Sequence, residues 1–275
     1  MKTKKIIAAV LSSVMCLTAL TACGGSKQSL SAIKKAGTIT MYTNAAFPPF
    51  ESKDGEKVVG VDADIAAEIA KDIGVKLEIK DVEFTSALTA ISTGKGSFAA
   101  AGISVTAERK KSMDFSEPYV TSVQYIIVPE ATEVKVFEDL KGLTIGTQTG
   151  TTGDFLVMDQ VDGSEDDSGN AVKGVIQDTG ASYKQYTSGM NAVQDMQAGR
   201  IDAVVIDKMP AEAMVAKNKG LKCLELVYAD GTKTEEQYAI AVQKGNKELL
   251  DQINKTIDRL VKEGKIEEYI VEHSK

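Results

Sequence analysis

The chain has 275 residues, 43% hydrophobic and 26% charged, a globular composition long enough for one large or two average domains. Its net charge of −7 and acidic pI argue against nucleic acid or an anionic membrane surface as a partner. There is no tryptophan and a single histidine, His273, which leaves no material for histidine-based catalysis or a His-rich metal site.

The first predicted element lies outside the fold. MKTKK supplies a basic start and IIAAVLSSVMCLTAL a 15-residue apolar stretch, shorter than the ~18–20 residues of a membrane span. LTAC, Leu20–Cys23, then reads as a lipobox, with residues 1–22 a lipoprotein signal, Cys23 the lipidated new N-terminus, and 23–32, opening GGSKQS after the cysteine's first glycines, a tether. The plainer alternative is a secretory signal with an incidental cysteine. Cleavage takes away Lys2, Lys4 and Lys5 and moves the net charge from −7 to −10. Cys16 leaves with the signal and Cys23 carries lipid, so Cys223 is alone and no disulfide within the chain is possible. Leu221 and Leu224 beside it point to a buried structural thiol.

β-rich runs then alternate with helical periodicity, the grammar of an α/β protein. TITMYT (38–43) alternates like a strand. Asp62 reads as the cap of a helix whose Ile65, Ile69 and Ile73 fall on one face, closed by Gly74. VKLEI (75–79) is a strand, 86–93 a helix ended by Gly94, and 97–101 a third strand. In the second half LTIGTQ (143–148) is a strand running into GTTG, 181–186 another, 191–198 a helix ended by Gly199, and IDAVVID (201–207) a strand. ALTAISTGKGSFAAAGIS and NAVQDMQAGRIDAVVID both read helix, glycine, basic residue, apolar strand, polar tip, which suggests two similar lobes. The extended segments 120–128 and 237–242 are where the chain would leave and re-enter the first lobe. The lobes then comprise 33–121 with 239–275, and 122–238, with final helices over 246–263 and 265–272 on the first. DQVDGSEDDSGN (159–170) is acidic and aperiodic, an exposed loop whose spacing does not match a calcium-binding loop.

Ligands of open α/β sheets bind beyond the carboxyl ends of strands. Gly102–Thr106 sits at such a tip. Glycine allows close backbone approach, Ser104 and Thr106 carry hydroxyls, and Thr106 is a natural cap for a helix through AERKK. Arg109, one turn in, has a planar fork matched to a carboxylate. The set reads equally as a carboxylate clamp or as a solvated basic helix start. Asp207 ends an apolar strand, where a carboxylate needs a cation or several donors, or else caps the following helix. Thr151 and Thr152 in TGTTG make a second anion-favouring turn or a simple one.

TNAAFPPFE (43–51), VGVDADIAAEIA (59–70), AGISVTAERKKSMDFSEPY (101–119), IGTQTGTTG (145–153) and AGRIDAVVID (198–207) resemble the substrate-binding proteins of polar amino acid ABC transporters, relatives of the glutamine-, histidine- and cystine-binding proteins. The resemblance covers nearly the whole chain after the signal, in order. It implies a type II periplasmic-binding-protein fold, α/β, with two lobes of mainly parallel sheet flanked by helices and joined by two extended hinge segments. It also implies an amino acid clamped between them.

Carried over by position, Arg109 would hold the ligand α-carboxylate, helped by Ser104 and Thr152, and Asp207 the α-ammonium, joined by Ser104 and the Gly102 carbonyl. Phe47 and Phe84 match positions that sandwich the ligand side chain, although core packing is their ordinary reading. Asn44 stands where many relatives carry Asp or Glu, which favours a neutral polar amino acid over a cationic one. Gln148 lies where relatives vary and would tune specificity. The stretch around 160–175 is longer than the family pattern. The expected protein is a lipid-anchored extracytoplasmic receptor, monomeric, without cofactor or metal, delivering a free amino acid to an ABC permease. A cyclohexadienyl dehydratase-like enzyme on the same fold and a signalling or adhesion lipoprotein are the alternatives.

Overall fold

The computed structural model describes residues 28–166 and 168–275, so the signal segment and Cys23 lie outside the described residues. Residues 30–32 of the expected tether are helical. Ser29 caps a helix, α1 (Leu30–Ala36), by accepting the Ala32 N–H, and Ile33 is buried. Gln28 bonds to the Ser97 hydroxyl and the Lys95 carbonyl, which ties this start to the body.

The first lobe follows the periodicities closely. β1 (Thr38–Thr43) turns Ile39, Met41 and Thr43 inward. A tight loop leads to the hairpin β2 (Ser52–Asp54) and β3 (Lys57–Val59) and then to α2 (Val61–Ile73), which buries Ile65, Ile69 and Ile73 and ends on Gly74 in the left-handed conformation. The expected cap is corrected: Gly60 holds that position, and Asp62 lies inside the first turn with its carboxylate facing the core. Gly60 has φ 133°, and a methyl there would overlap the Phe50 carbonyl. β4 (Lys76–Asp81), α3 (Phe84–Ser92), β5 (Phe98–Ala99), α4 (Ala107–Ser112) and β6 (Met113–Phe115) complete this part. Only two residues of the expected strand 97–101 pair. Ala100, Ala101 and Gly102 run past the sheet edge.

The chain crosses on β7 (Val120–Pro129) and builds β8 (Thr144–Gln148), α5 (Thr152–Asp162), a small hairpin of β9 (Ser164–Glu165) and β10 (Ala171–Val172), β11 (Ser182–Tyr186), α6 (Gly189–Gln197), β12 (Ala203–Asp207), α7 (Lys208–Lys217) and β13 (Leu221–Glu225). It returns through β14 (Glu235–Tyr238) to β15 (Ala241–Gln243), α8 (Lys247–Lys262) and α9 (Lys265–His273). The acidic stretch 159–170 is therefore a helix end and a hairpin rather than a plain loop, its turn organised by Asp166 accepting the Ser168 and Asn170 N–H groups. Cys223 is half-buried, and burial pushes its thiol pKa up, away from reactivity.

Both sheets have the same plan, β4-β1-β5-β15-β6 and β11-β8-β12-β7-β13. In each, the fourth strand runs against the others, and it is the strand on which the chain arrives from the other lobe. β14 adds to β7 antiparallel, Val120 opposite Tyr238, so the two crossing segments form one hydrogen-bonded ribbon between the lobes. α8 and α9 cover α2, burying Leu249, Ile253, Ile257, Leu260 and Ile266 in the same core as Ile65 and Ile69. Arg259 reaches Glu68 at 2.7 Å and Asp72 at 2.9 Å, and His273 Nε2 lies 2.7 Å from Asp64. These pairs are partly solvated, so burial of the apolar face dominates the attachment.

Gly60→Ala is expected to destabilise the protein by about 1–3 kcal/mol through backbone strain and the carbonyl overlap. Thermal denaturation checks this, and an unchanged midpoint would mean that the α2 start can shift without cost.

Candidate ligand-binding cleft

The carboxyl ends of β1, β5, β8 and β12 meet between the lobes around a narrow cavity of about 10 Å³. Asn44, Phe47, Phe84, Gly102, Ser104 and Arg109 line it from the first lobe, and Gln148, Thr152 and Asp207 from the second. The structure thus brings all nine residues singled out in the sequence to one cavity. It adds Thr151, read in the sequence as part of an anion-favouring turn, and Glu51 and Ala101, which sequence reasoning did not weigh.

Arg109 is set by local chemistry. The Thr106 hydroxyl accepts the Arg109 N–H at 3.1 Å and starts α4, and the side chain turns inward until Arg109 is 8% exposed. The solvated-helix reading is thereby excluded, whereas Lys110 and Lys111 are exposed. Nη1 donates to the Ser104 carbonyl at 2.7 Å and Nη2 to the Gly150 carbonyl of the other lobe at 3.0 Å. The guanidinium lies 5.3 Å from the Phe84 ring centroid, a cation–π distance. Burial works against its charge and lowers its pKa, and the nearby Glu236 and Asp207 carboxylates offset this only in part. The Gly150 carbonyl is presented by a loop wound around Asp154, buried, which accepts from Thr147, Gly150 N and Gln185.

Other contacts cross the cleft. Gln148 Nε2 donates to Asn44 Oδ1 at 2.9 Å, and Asn44 Nδ2 donates to the Val82 carbonyl, so the Asn44 amide is already engaged on both ends. Ser104 Oγ and Thr152 Oγ1 are 3.4 Å apart. Gly102 has φ 53°, and a Cβ there would come 2.5 Å from the Phe47 ring, so a side chain is excluded where the strand tip meets the cavity. Phe47 also packs with Phe50 and Tyr238, so it serves the core and the cavity wall together.

Asp207 stands at the N-cap of α7 but makes no side-chain cap bond. It accepts the Tyr238 hydroxyl at 2.6 Å, and burial, with Glu236 close by, holds its carboxyl well above the usual range. Asp62 accepts Gly102 N at 2.9 Å and the Tyr119 hydroxyl at 2.7 Å, and burial pushes it up to about 6 despite these bonds. Glu51, fully buried, is also raised, by burial first, then by the charge of Asp62 and a hydrogen bond shared with it, and by the charges of Asp207 and Asp81. Apart from that carboxyl pair, among the described residues neither Glu51 oxygen meets a hydrogen-bond donor, nor does Gln148 Oε1. Glu51 follows Phe50 in FPPFE, and a charge inside an otherwise apolar turn was the available signal for it. Glu236, in the polar run EEQY, offers no such contrast.

Two α/β lobes closed on a narrow cleft, with an apolar wall and a few convergent polar and charged groups, define a receptor for a small solute. Residues 39–273 match the family described as bacterial extracellular solute-binding proteins, family 3, and the chain belongs to that family. It is 31% identical over 253 residues to the "Arginine-binding extracellular protein ArtP" of Bacillus subtilis, covering 92% of this chain and 91% of the relative. It is 30% identical over 268 residues to a "Probable histidine-binding protein" of Neisseria gonorrhoeae, at 96% and 93% coverage. Among solved structures, the amino acid ABC transporter substrate-binding protein AbpA of Streptococcus pneumoniae, bound to L-arginine, superposes with a TM-score of 0.78 at 28% identity, over 89% of this chain and 97% of that one. With binding proteins as its relatives, this is an extracytoplasmic binding protein rather than an enzyme.

Three buried carboxyls with raised pKa set a pH dependence. Above pH ~4 the unfolded chain has released these protons, while in the folded protein Asp62 keeps its proton to about pH 6 and burial shifts Glu51 and Asp207 in the same direction. Their contribution is complete at low pH and is lost as pH rises through the folded values. The lowered carboxyls Glu68, Asp72 and Asp114 act only below the unfolded range. Ligand-free protein is therefore expected to melt at a higher temperature at pH 5.5 than at pH 7.5, and the opposite order would show that these groups are ionised at no cost.

Proposed function

We propose that this chain captures an amino acid with a cationic side chain, arginine first, between its lobes and delivers it to an ABC permease. The observation that carries the choice of side chain is Glu51. Both carboxylate oxygens are buried in the cavity wall without a donor, and Gln148 Oε1 beside the cavity is likewise unmet. A guanidinium supplies five N–H donors in a plane and a positive charge, which suits these acceptors as no neutral amide does. Burial favours the protonated forms of Glu51 and Asp207, and a cationic ligand beside them offsets that cost and lets them ionise. The reading replaces the neutral side chain expected from Asn44, whose amide is engaged by Gln148 and Val82. The arginine-binding names of ArtP and of the arginine-bound AbpA structure are in keeping with it.

In this reading Arg109 takes the α-carboxylate, Asp207 the α-ammonium, Phe47 and Phe84 flank the aliphatic stem, and Glu51 with Gln148 meets the side-chain head. Each lobe holds part of the ligand, so full coordination requires the shut cleft and binding favours closure. The permease then accepts ligand from the closed form. Lipid on Cys23 keeps the receptor at the membrane and raises its effective concentration there.

Calorimetry on the protein is expected to show arginine binding more tightly than glutamine, with Glu51→Gln weakening arginine by about 2–5 kcal/mol while largely sparing glutamine. An unchanged preference in that variant would reject the cationic reading. Arginine binding is expected to release protons and to tighten between pH 5.5 and 7.5, because the cation favours ionised Glu51. Arg109→Ala is expected to weaken every amino acid by about 2–5 kcal/mol without loss of the fold. Cys23→Ser in the full chain is expected to move the protein from the membrane fraction to the soluble one, and retention would refute the lipid anchor.

A further inference from the structure

Glu236 belongs to neither lobe's binding set, yet it gathers residues from both. It lies on the return strand β14, opposite Ser122 of β7, on the ribbon that joins the lobes. Its carboxylate accepts the Ser104 hydroxyl from the first lobe, the Thr152 hydroxyl from the second at 2.6 Å, and Gln124 Nε2 at 2.5 Å. A serine or threonine hydroxyl has one proton and two lone pairs. In both contacts the hydroxyl is the donor and Glu236 Oε2 the acceptor, so both protons point at Glu236 and both hydroxyl oxygens turn lone pairs toward their remaining neighbours.

We propose that Glu236 is a positioning residue that fixes the polarity of the cleft, making Ser104 and Thr152 acceptors for the ligand ammonium and unable to donate to its carboxylate. The α-carboxylate is then left to the Arg109 guanidinium and to the first-turn N–H groups of α5, which a helix cannot bond internally. The cleft acquires an acceptor side, Asp207 with the two hydroxyls, and a donor side, Arg109 with the start of α5. A solute carrying a carboxylate but no α-ammonium leaves the acceptor side unmet, which is the arrangement that rejects such analogues most strongly. Because Glu236 sits on the connecting ribbon and holds one hydroxyl from each lobe, the same contact sets the polarity only when the lobes are together. This assignment narrows the roles implied by family resemblance, in which Ser104 serves both the carboxylate and the ammonium and Thr152 helps to hold the carboxylate. It rests on amino acid capture and is independent of which side chain is preferred.

The test measures affinities for amino acids and for their des-amino counterparts: L-arginine against 5-guanidinopentanoic acid, and L-glutamine against glutaramic acid. The full-length receptor is expected to favour the amino acid of its preferred pair by ~100-fold or more. Glu236→Gln offers amide protons to the hydroxyls and frees them to reorient, and it is expected to narrow that ratio by ~10-fold or more. Thr152→Val, which keeps the shape and removes the hydroxyl, is expected to weaken the amino acid and to spare the des-amino acid. It carries the test alone should Glu236→Gln fail to fold. Equal losses for both members of a pair in Thr152→Val, or an unchanged ratio in Glu236→Gln, would overturn the role of Glu236. Preference for glutamine in the wild-type protein would sink the cationic reading and leave this one standing, and binding of neither amino acid would sink both.

Discussion

The cleft is governed by the cost of keeping charge out of water. The Arg109 guanidinium is buried close to Asp207 and Glu236, and the buried carboxyls Asp207, Glu51 and Asp62 are costly to ionise there without partners. Much of the surrounding structure supplies partners. Tyr238 bonds to Asp207, Tyr119 and the Gly102 amide to Asp62, the Gly150 carbonyl to Arg109, and Ser104, Thr152 and Gln124 to Glu236. Glu51 faces another carboxyl, Asp62, in place of a cation or an amide, and it lines the cavity. A site built this way is specific because a wrong solute leaves buried charge unmet.

The topology explains how such a network spans two bodies. Each sheet receives one strand running against its neighbours, and those strands, β7 and β15, carry the chain between lobes. β14 lies on β7, so the connection is a hydrogen-bonded ribbon rather than a loose linker. Groups on that ribbon, Tyr238 and Glu236, touch cleft residues of both halves. The ribbon is thus part of the site as well as the hinge about which closure would occur.

Many elements were legible because their signals are local. The alternation of TITMYT, the Ile65, Ile69, Ile73 stripe closed by Gly74, and the Thr106 and Thr151 caps are written in residues that touch near neighbours in sequence. Asp62 misled for the same reason. Its position at the start of a helix resembles a cap, but its carboxylate is taken by Gly102 and Tyr119, 40 and 57 residues away. The acidic stretch after α5 reads as an aperiodic loop because a two-residue hairpin is too short to display alternation.

The amino acid sequence by itself determined the α/β alternation, the two similar lobes, the strand tips where polar residues interrupt apolar runs, and the helix starts that aim Arg109 and Thr152. Each of these depends on periodicity or on contacts within a turn or two. Only the tertiary structure decided which carboxylates share one space: that Glu51 is stranded in the cavity wall, that Asn44 is spent on Gln148, and that Glu236 reaches Ser104 and Thr152 across 132 and 84 residues. Burial and charge pairing are properties of neighbours in space, and the fold chooses those neighbours at separations along the chain that no local pattern records.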